Sequence, residues 1–190
     1  MDKLRITGGY LKGRNIALLK NGTARYTSSK VREAIFNLTG DIKGCKILDL
    51  FAGSGSFTVE AVSRGAVSAT SVEKDGDMAA VLQKNLSNLS IDKDCLVLNM
   101  DVIYAIPFLC KKGYSYDIVF MDPPYIKGLI TETMMLLKNN ILYDNDTIFI
   151  LEYSKKEKID LTFWSVLEEI TTRGYGDTNI SIFRTDDKCG

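Results

Sequence analysis

Short apolar runs alternate with longer amphipathic stretches through the middle of this 190-residue chain. The runs are almost uninterrupted, as expected of strands in a sheet that is covered on both faces. The pattern predicts strands at 46–50, 69–73, 95–98, 116–121 and 147–152, and helices at 57–64, 76–89, 102–112 and 128–140. Such alternation is typical of βαβ units, and it predicts an α/β fold built on a parallel sheet.

The beginning of the chain follows a different pattern. Residues 4–19 contain strand-like stretches broken by glycines, which predicts a hairpin. Residues 28–38 start with a serine and place apolar side chains on roughly one side, which predicts a helix. We interpret residues 1–45 as an extension that precedes the sheet.

Two further strands are predicted near the end of the chain, at 166–172 and 179–184. A glycine-containing turn at 174–176 separates them, so we expect them to pair antiparallel. Together with the alternating region they place the sheet within residues 46–190. The length suits one domain, made of this sheet and the extension.

The composition excludes several kinds of chemistry. The chain has no histidine, which removes the commonest general base and the usual triads and metal sites, so we expect no metal. Cys45, Cys95, Cys110 and Cys189 are far apart, which favours reduced thiols over zinc or disulfides. No apolar run approaches the roughly 20 residues that cross a bilayer, and the first residues do not resemble a signal peptide. We therefore expect a cytoplasmic protein.

The charge is unevenly distributed although the net charge is zero. Residues 1–46 contain ten Lys or Arg and three acids, a net charge of +7, which leaves −7 on residues 47–190. This asymmetry suggests an anionic partner, although a solvated basic surface would have the same composition. For a nucleic acid partner, we expect phosphate contacts from Arg5, Lys12, Arg14, Arg25 and Lys30.

The first predicted strand of the sheet runs into a glycine-rich turn. Asp49-Leu50-Phe51-Ala52-Gly53-Ser54-Gly55 lies between this strand and the next helix. Glycine lets the backbone turn tightly and approach a ligand, and ligands of doubly wound sheets bind at this edge. Glu73, at the end of the next strand, can accept both ribose hydroxyls of a nucleoside. The alternative is a strand–helix turn that binds no ligand, and the position of Glu73 makes this alternative less favoured.

The charge of the glycine-rich turn indicates which nucleoside-containing ligand to expect there. It has no Gly-Lys-Ser/Thr ending, and Asp49 would repel a pyrophosphate. S-adenosylmethionine carries a sulfonium and an ammonium, so it suits an acid at this position better than a dinucleotide does. Asp101, after the third strand, can meet the adenine amino group or cap the following helix, and the two roles are compatible.

The second motif is Asp122-Pro123-Pro124-Tyr125, which follows the fourth strand. The prolines fix φ and make a rigid turn that can direct the Asp122 carboxylate and the Pro123 carbonyl into the crevice. Two acceptors beside the Tyr125 ring suit a planar base with an exocyclic amine. A rigid surface turn with a buried tyrosine is the alternative.

These motifs resemble the amino-methyltransferases that modify base nitrogens, and nearly the whole chain resembles one family, the RsmD-type methyltransferases. That family makes N2-methylguanosine in small-subunit (16S) ribosomal RNA. The supporting segments are RITGG at 5–9, KGR at 12–14, RYTSSKVRE at 25–33, DLFAGSG at 49–55, EAVSRGA at 60–66, VEKD at 72–75, KNL at 84–86 and VFMDPPY at 119–125. The chain departs from the family's usual residues at Tyr26, Ser29 and Tyr125.

The resemblance implies a Rossmann-like methyltransferase fold with a seven-stranded, mostly parallel sheet whose last strand is antiparallel. It implies S-adenosyl-L-methionine as cofactor and ribosomal RNA, within or outside an assembling subunit, as partner. The implied catalytic residues are Asp122, Pro123, Pro124 and Tyr125. The cofactor residues that we expect are Asp49, Phe51, Ala52, Gly53, Ser54, Gly55, Glu73, Lys74, Asp101 and Val102, with Thr27 and Arg32 towards the methionine end.

Two alternatives stay open. An adenine-N6 methyltransferase acting on DNA or RNA is compatible with D-P-P-Y, and tyrosine at the last position is what adenine-N6 enzymes usually carry. Against DNA, 190 residues leave little room for a separate recognition domain. The other alternative is a cofactor-binding subunit without activity, but a site that has lost its catalytic activity would not require the Asp122 carboxylate.

Overall fold

The computed structural model describes residues 2–19, 28–124 and 128–186. Strands and helices alternate through most of this part of the chain, as predicted. In chain order they are β1 (Asp2–Arg5), β2 (Asn15–Leu18), α1 (Ser29–Thr39), β3 (Lys46–Asp49), α2 (Ser56–Ser63), β4 (Ser68–Val72), α3 (Gly76–Leu89), β5 (Cys95–Leu98), α4 (Val102–Lys111), β6 (Tyr116–Met121), α5 (Leu129–Asn139), β7 (Tyr143–Ser154), β8 (Leu167–Tyr175) and β9 (Thr178–Thr185).

Strands β3 to β9 form one seven-stranded sheet in the order β5-β4-β3-β6-β7-β9-β8. β9 runs opposite in direction to the other six strands of this sheet, which confirms the predicted Rossmann-like arrangement. The chain moves outward from β3 in one direction to β5 and then returns to place β6 on the other side of β3. This reversal leaves a crevice at the carboxyl ends of β3 and β6.

The structure differs from the sequence prediction at the last hairpin. Gly174 and Tyr175 belong to β8 and pair with β9, so the turn consists of Gly176 and Asp177. Gly176 has φ +58°, a left-handed conformation that glycine adopts at little cost. The hairpin is therefore longer than predicted, and its turn reaches the same edge of the sheet as the carboxyl end of β7, since Ser154 pairs with Thr178.

Helices cover both faces of the sheet. One core joins α1, α2, α3 and the β1–β2 hairpin to one face, and a second core joins α4 and α5 to the other. No helix in the described ranges is long and apolar enough to span a membrane.

Buried polar contacts fix the extension to the helices of the first face. Glu60, in α2, is 1% exposed and accepts hydrogen bonds from the Thr7 backbone N–H at 3.0 Å and the Thr7 hydroxyl at 2.6 Å. Asn85, in α3, donates to the carbonyls of Ala17 at 3.0 Å and Ser54 at 2.9 Å, and accepts the Ala17 N–H at 2.9 Å. Because Ser54 belongs to the glycine-rich turn, Asn85 connects the hairpin directly to that turn.

Candidate active site

A cavity of about 830 Å³ opens at the carboxyl ends of β3, β4, β6 and β7. The turn between β8 and β9 and the start of α1 complete its wall. Beneath it, the rings of Phe57 and Phe120 stack with centroids 3.8 Å apart, and Phe36 stacks on Phe57 at 5.1 Å. This aromatic stack gives the cavity a rigid floor between α1, α2 and β6.

The glycine-rich turn forms one side of the cavity. Phe51, Ala52, Gly53 and Ser54 all line it. Gly53 has φ +54°, and its N–H donates to Glu73 Oε2 at 2.8 Å. The backbone therefore bends around the position where a ligand would lie, and Glu73 holds the bend in place.

Gly55 has a structural role in this turn and is not among the cavity-lining residues. It has φ +85° and directly precedes α2. A Cβ at this position would lie 2.1 Å from Leu82 Cδ1, and residues with a side chain rarely adopt this positive φ, so glycine suits both the turn and its packing against α3.

Asp49 presents an unusual carboxylate to the cavity. It is 1% exposed, and its Oδ2 atom accepts the Thr58 hydroxyl at 2.8 Å. Burial raises the pKa of Asp49 to about 7; the Thr58 hydrogen bond opposes this, whereas the negative charges of Asp122 and Glu73 add to it. Among the described residues, no donor forms a hydrogen bond with the Asp49 Oδ1 atom. The Phe51 backbone N–H nevertheless lowers the pKa of Asp49 and so favours the ionised carboxylate. A buried acceptor of this kind fits the ammonium group of S-adenosylmethionine.

Glu73 and Asp101 offer further acceptors to a nucleoside. Glu73 accepts the N–H groups of Gly53 and Asp75, both at 2.8 Å, and each oxygen keeps a lone pair for a ribose hydroxyl. Asp101 lines the cavity and also caps α4 by accepting the Ile103 N–H at 3.1 Å. Lys74 lies exposed at the rim, and the buried Val102 side chain adds an apolar contact. These residues fit the adenosine part of the cofactor.

The D-P-P-Y motif enters the same cavity from the end of β6. Asp122, Pro123 and Pro124 line it, whereas Tyr125 lies outside the described residues. Asp122 is close enough to Asp49 for its charge to raise the pKa of that carboxyl. The predicted base-binding acceptors and the predicted cofactor site therefore share one space.

Arg32 is not among the residues that line the cavity. Its side chain is fully buried, donates to the Arg5 carbonyl at 2.9 Å and has its Nε atom 3.8 Å from Glu60 Oε2. Arg32 therefore connects α1 to β1 and to α2. Thr27, the other residue expected near the methionine end, lies outside the described residues.

The basic residues that were expected to contact phosphates lie at the surface wherever the structure describes them. Arg5, Lys12, Arg14 and Lys30 are exposed, and Arg25 lies outside the described residues. Lys30 is next to the cavity, because Ser28 and Val31 line the cavity on either side of it. Arg14 also donates to the Asn88 carbonyl at 3.3 Å.

Two parts of the cavity wall were not expected from the sequence. Glu152 lines the cavity from β7, and Tyr175 to Thr178 line it from the last hairpin. Glu152 follows an apolar strand as Glu73 does, so the same pattern contained a signal for it. The hairpin had no such signal, because its approach depends on the pairing of β7, β9 and β8.

Comparison with known proteins agrees with this geometry. The model of the family described as conserved hypothetical protein 95 matches residues 4–184. Ribosomal RNA small subunit methyltransferase D of Escherichia coli K12 is 38% identical over 151 residues, which are 79% of this chain and 74% of that protein. The solved structure of yhhF from Escherichia coli, described as a candidate methyltransferase, is 31% identical with a TM-score of 0.85, covering 98% of this chain and all of that one. An RNA methyltransferase from Salinibacter ruber, in complex with S-adenosyl-L-homocysteine, shares the fold at 14% identity, with a TM-score of 0.66 over 87% of this chain and 97% of that one.

Proposed function

Because this chain belongs to the conserved hypothetical protein 95 family, the RsmD family of S-adenosylmethionine-dependent ribosomal RNA methyltransferases, we propose that it methylates the exocyclic N2 amine of a guanosine in small-subunit RNA. One observation carries the proposal: Asp122 and Pro123 line the same cavity as Asp49 and Glu73. Acceptors for a base amine thus lie beside acceptors that suit the cofactor.

The cofactor residues have distinct proposed roles. Asp49 takes the ammonium with its Oδ1 atom, Glu73 takes the ribose hydroxyls, and Asp101 takes the adenine amine. The turn at 51–54 holds the backbone close to the ligand, and Val102 contacts it with apolar surface. Bound in this way, S-adenosylmethionine supplies an electrophilic methyl group on its sulfonium.

The D-P-P-Y residues prepare the nucleophile. The lone pair of a guanine amine is delocalised into the ring, so the amine is a weak nucleophile. The Asp122 carboxylate and the Pro123 carbonyl accept its N–H bonds, which raises electron density on nitrogen and points the lone pair out of the ring plane. Pro124 keeps the turn rigid, and Tyr125 stacks on the base. Holding the reacting atoms about 3–3.5 Å apart supplies a large part of the rate enhancement. Asp122 or water takes the released proton.

Basic residues of the extension complete the proposed site. Arg5, Lys12, Arg14, Arg25 and Lys30 contact phosphates, which give affinity without sequence information. Recognition of one guanosine then depends on the folded shape of the RNA, alone or within the small subunit.

The test offers labelled S-adenosylmethionine with three substrates: unmodified small subunits, bare small-subunit RNA and duplex DNA. We expect label in N2-methylguanosine from the ribosomal substrates by nucleoside mass spectrometry. Label in N6-methyladenine, in DNA or RNA, would overturn the proposal in favour of an adenine enzyme.

A further inference from the structure

Glu152 lies beside Asp122 in the cavity wall. The pairing of β6 with β7 places Met121 opposite Leu151, so the next residues, Asp122 directly after β6 and Glu152 within β7, are neighbours. Such strands are about 4.8 Å apart, and their paired residues face the same side of the sheet. Side chains two residues apart on a strand face the same side of the sheet. Phe120 and Ile150, two residues before Asp122 and Glu152, both pack in the core on the α1–α3 face, so Asp122 and Glu152 face that side as well.

The position of Glu152 assigns it to the substrate end of the cavity. The cofactor acceptors follow β3, β4 and β5, which lie on one side of β6, whereas β7 lies on the other. The surrounding wall comes from the start of α1, with Ser28, and from the last hairpin, with Tyr175 and Thr178. Glu152 therefore faces the half of the cavity in which the proposed function places the base.

Glu152 is buried and lies near a positive charge. The side chain is 5% exposed, and Arg32, which is fully buried, lies within electrostatic reach of it. Each carboxylate oxygen has two lone pairs, so Asp122 and Glu152 can accept N–H donors from a ligand in addition to the contacts they make within the protein. A ligand that brings several adjacent N–H donors can therefore be bound by both acids together.

Guanine presents such donors along its Watson–Crick edge, where the N1–H stands next to the two N–H bonds of the N2 amine. Adenine presents an N1 lone pair next to its amine, which a carboxylate repels. We propose that Glu152 accepts the N1–H of the target base and thereby makes the site specific for guanine over adenine. This inference rests on the proposed function, and it gives Arg32 a role behind the site, where its positive charge attracts the Glu152 carboxylate.

The experiment varies the base at the modified position, once that position has been mapped. Small-subunit RNA carries either guanosine or 2-aminopurine there, because 2-aminopurine keeps the 2-amine but has a lone pair at N1. The wild-type protein should favour guanosine in kcat/KM by about 100-fold, consistent with the discrimination that paired hydrogen bonds give. Glu152→Gln should bring the two bases within about tenfold, because an amide can accept from N1–H and can also donate to a bare N1.

Two further variants separate recognition from structure. Glu152→Asp retains the charge, so it should keep the preference for guanosine even if its rate falls. Glu168→Gln, at an exposed acid of β8, should leave both rates unchanged. Affinity for S-adenosylhomocysteine, measured by calorimetry, should be the same in all variants and would show that each is folded.

The results distinguish this inference from its premise. If the wild-type protein methylates adenine, the proposed function fails and Glu152 loses its assigned partner. If the wild-type protein makes N2-methylguanosine but Glu152→Gln slows both bases equally and keeps the wild-type preference, the proposed function stands and the specificity role of Glu152 is wrong.

Discussion

Asp49→Asn tests the electrostatic design of the cofactor site. Burial raises the pKa of Asp49 to about 7, so at neutral pH the ligand-free protein holds this carboxyl partly protonated. The change to asparagine keeps an oxygen that can accept the Thr58 hydroxyl and removes the titration. Any pH dependence that comes from Asp49 should therefore be lost in the variant.

The expected effect on stability follows from the proton balance. A carboxyl whose native pKa lies above its unfolded value binds more protons in the native state, so the free energy of unfolding falls as pH rises between the two values. From pH 5 to pH 7 the loss is about 2–3 kcal/mol, at 1.36 kcal/mol for each pH unit over two units. Above about pH 7 it should level off, because native Asp49 is then ionised as well.

Urea unfolding of the ligand-free wild type and Asp49→Asn at pH 5, 6, 7 and 8 measures this difference directly. The free energy of unfolding of the variant should rise relative to wild type by about 2–3 kcal/mol between pH 5 and pH 8. Parallel pH profiles for the two proteins would refute the assignment, because another group would then carry the titration.

Cofactor binding should show the opposite pH trend. Because an ammonium pairs with the ionised carboxylate, wild-type affinity for S-adenosylhomocysteine should increase about tenfold from pH 5 to pH 6 and level off above about pH 7. Calorimetry in two buffers of different ionisation enthalpy should detect release of roughly 0.9 proton at pH 6. Asp49→Asn should bind more weakly, with no such release.

The other predictions concern single contacts. Glu73→Ala should weaken S-adenosylhomocysteine binding by about 1–3 kcal/mol in calorimetry, and unchanged affinity would place the ribose elsewhere. Asp122→Ala should lower methyl transfer by about 100-fold or more while cofactor affinity stays nearly constant; near-normal transfer would exclude the proposed mechanism. Reversing Lys12 and Arg14 to glutamate should raise KM for ribosomal substrate and reduce its salt dependence, without changing cofactor affinity; a joint loss would make the segment structural. Asn85→Ala should lower the free energy of unfolding in urea by about 2–3 kcal/mol, since one buried and two partly buried hydrogen bonds are lost; an unchanged midpoint would contradict this.

The sequence predicted the fold well because its signals are local. The apolar run that ends at Asp49 and the glycine at position 53 need only neighbouring residues to be interpreted, and both lie where they were expected. The resemblance supplied the remaining feature, one antiparallel strand, which β9 confirms.

The contacts that could not be predicted from the sequence are tertiary. The resemblance suggested Arg32 for the methionine end of the cofactor, whereas its contacts with Glu60 and the Arg5 carbonyl, both distant in sequence, were not expected. Gly55 was expected at the cofactor as part of the glycine-rich turn, whereas its close packing against Leu82 was not expected. Neither partner can be identified from the spacing of the motifs alone.

The acids at the cavity edge favour ligands that carry positive charge or N–H donors. Each parallel strand from β3 to β7 contributes an acid that lines the cavity, at or after the end of the strand in β3 to β6 and within the strand in β7: Asp49, Glu73, Asp101, Asp122 and Glu152. In the free protein burial raises the pKa of Asp49, and the negative charges of Asp122 and Glu73 add to this, so neighbouring acids of the row repel one another. A sulfonium and an ammonium would relieve this repulsion on the β3–β5 side, and the amine and N1–H of guanine would relieve it on the β6–β7 side. Because each ligand reduces the repulsion that the other meets, cofactor and base should bind more tightly together than separately.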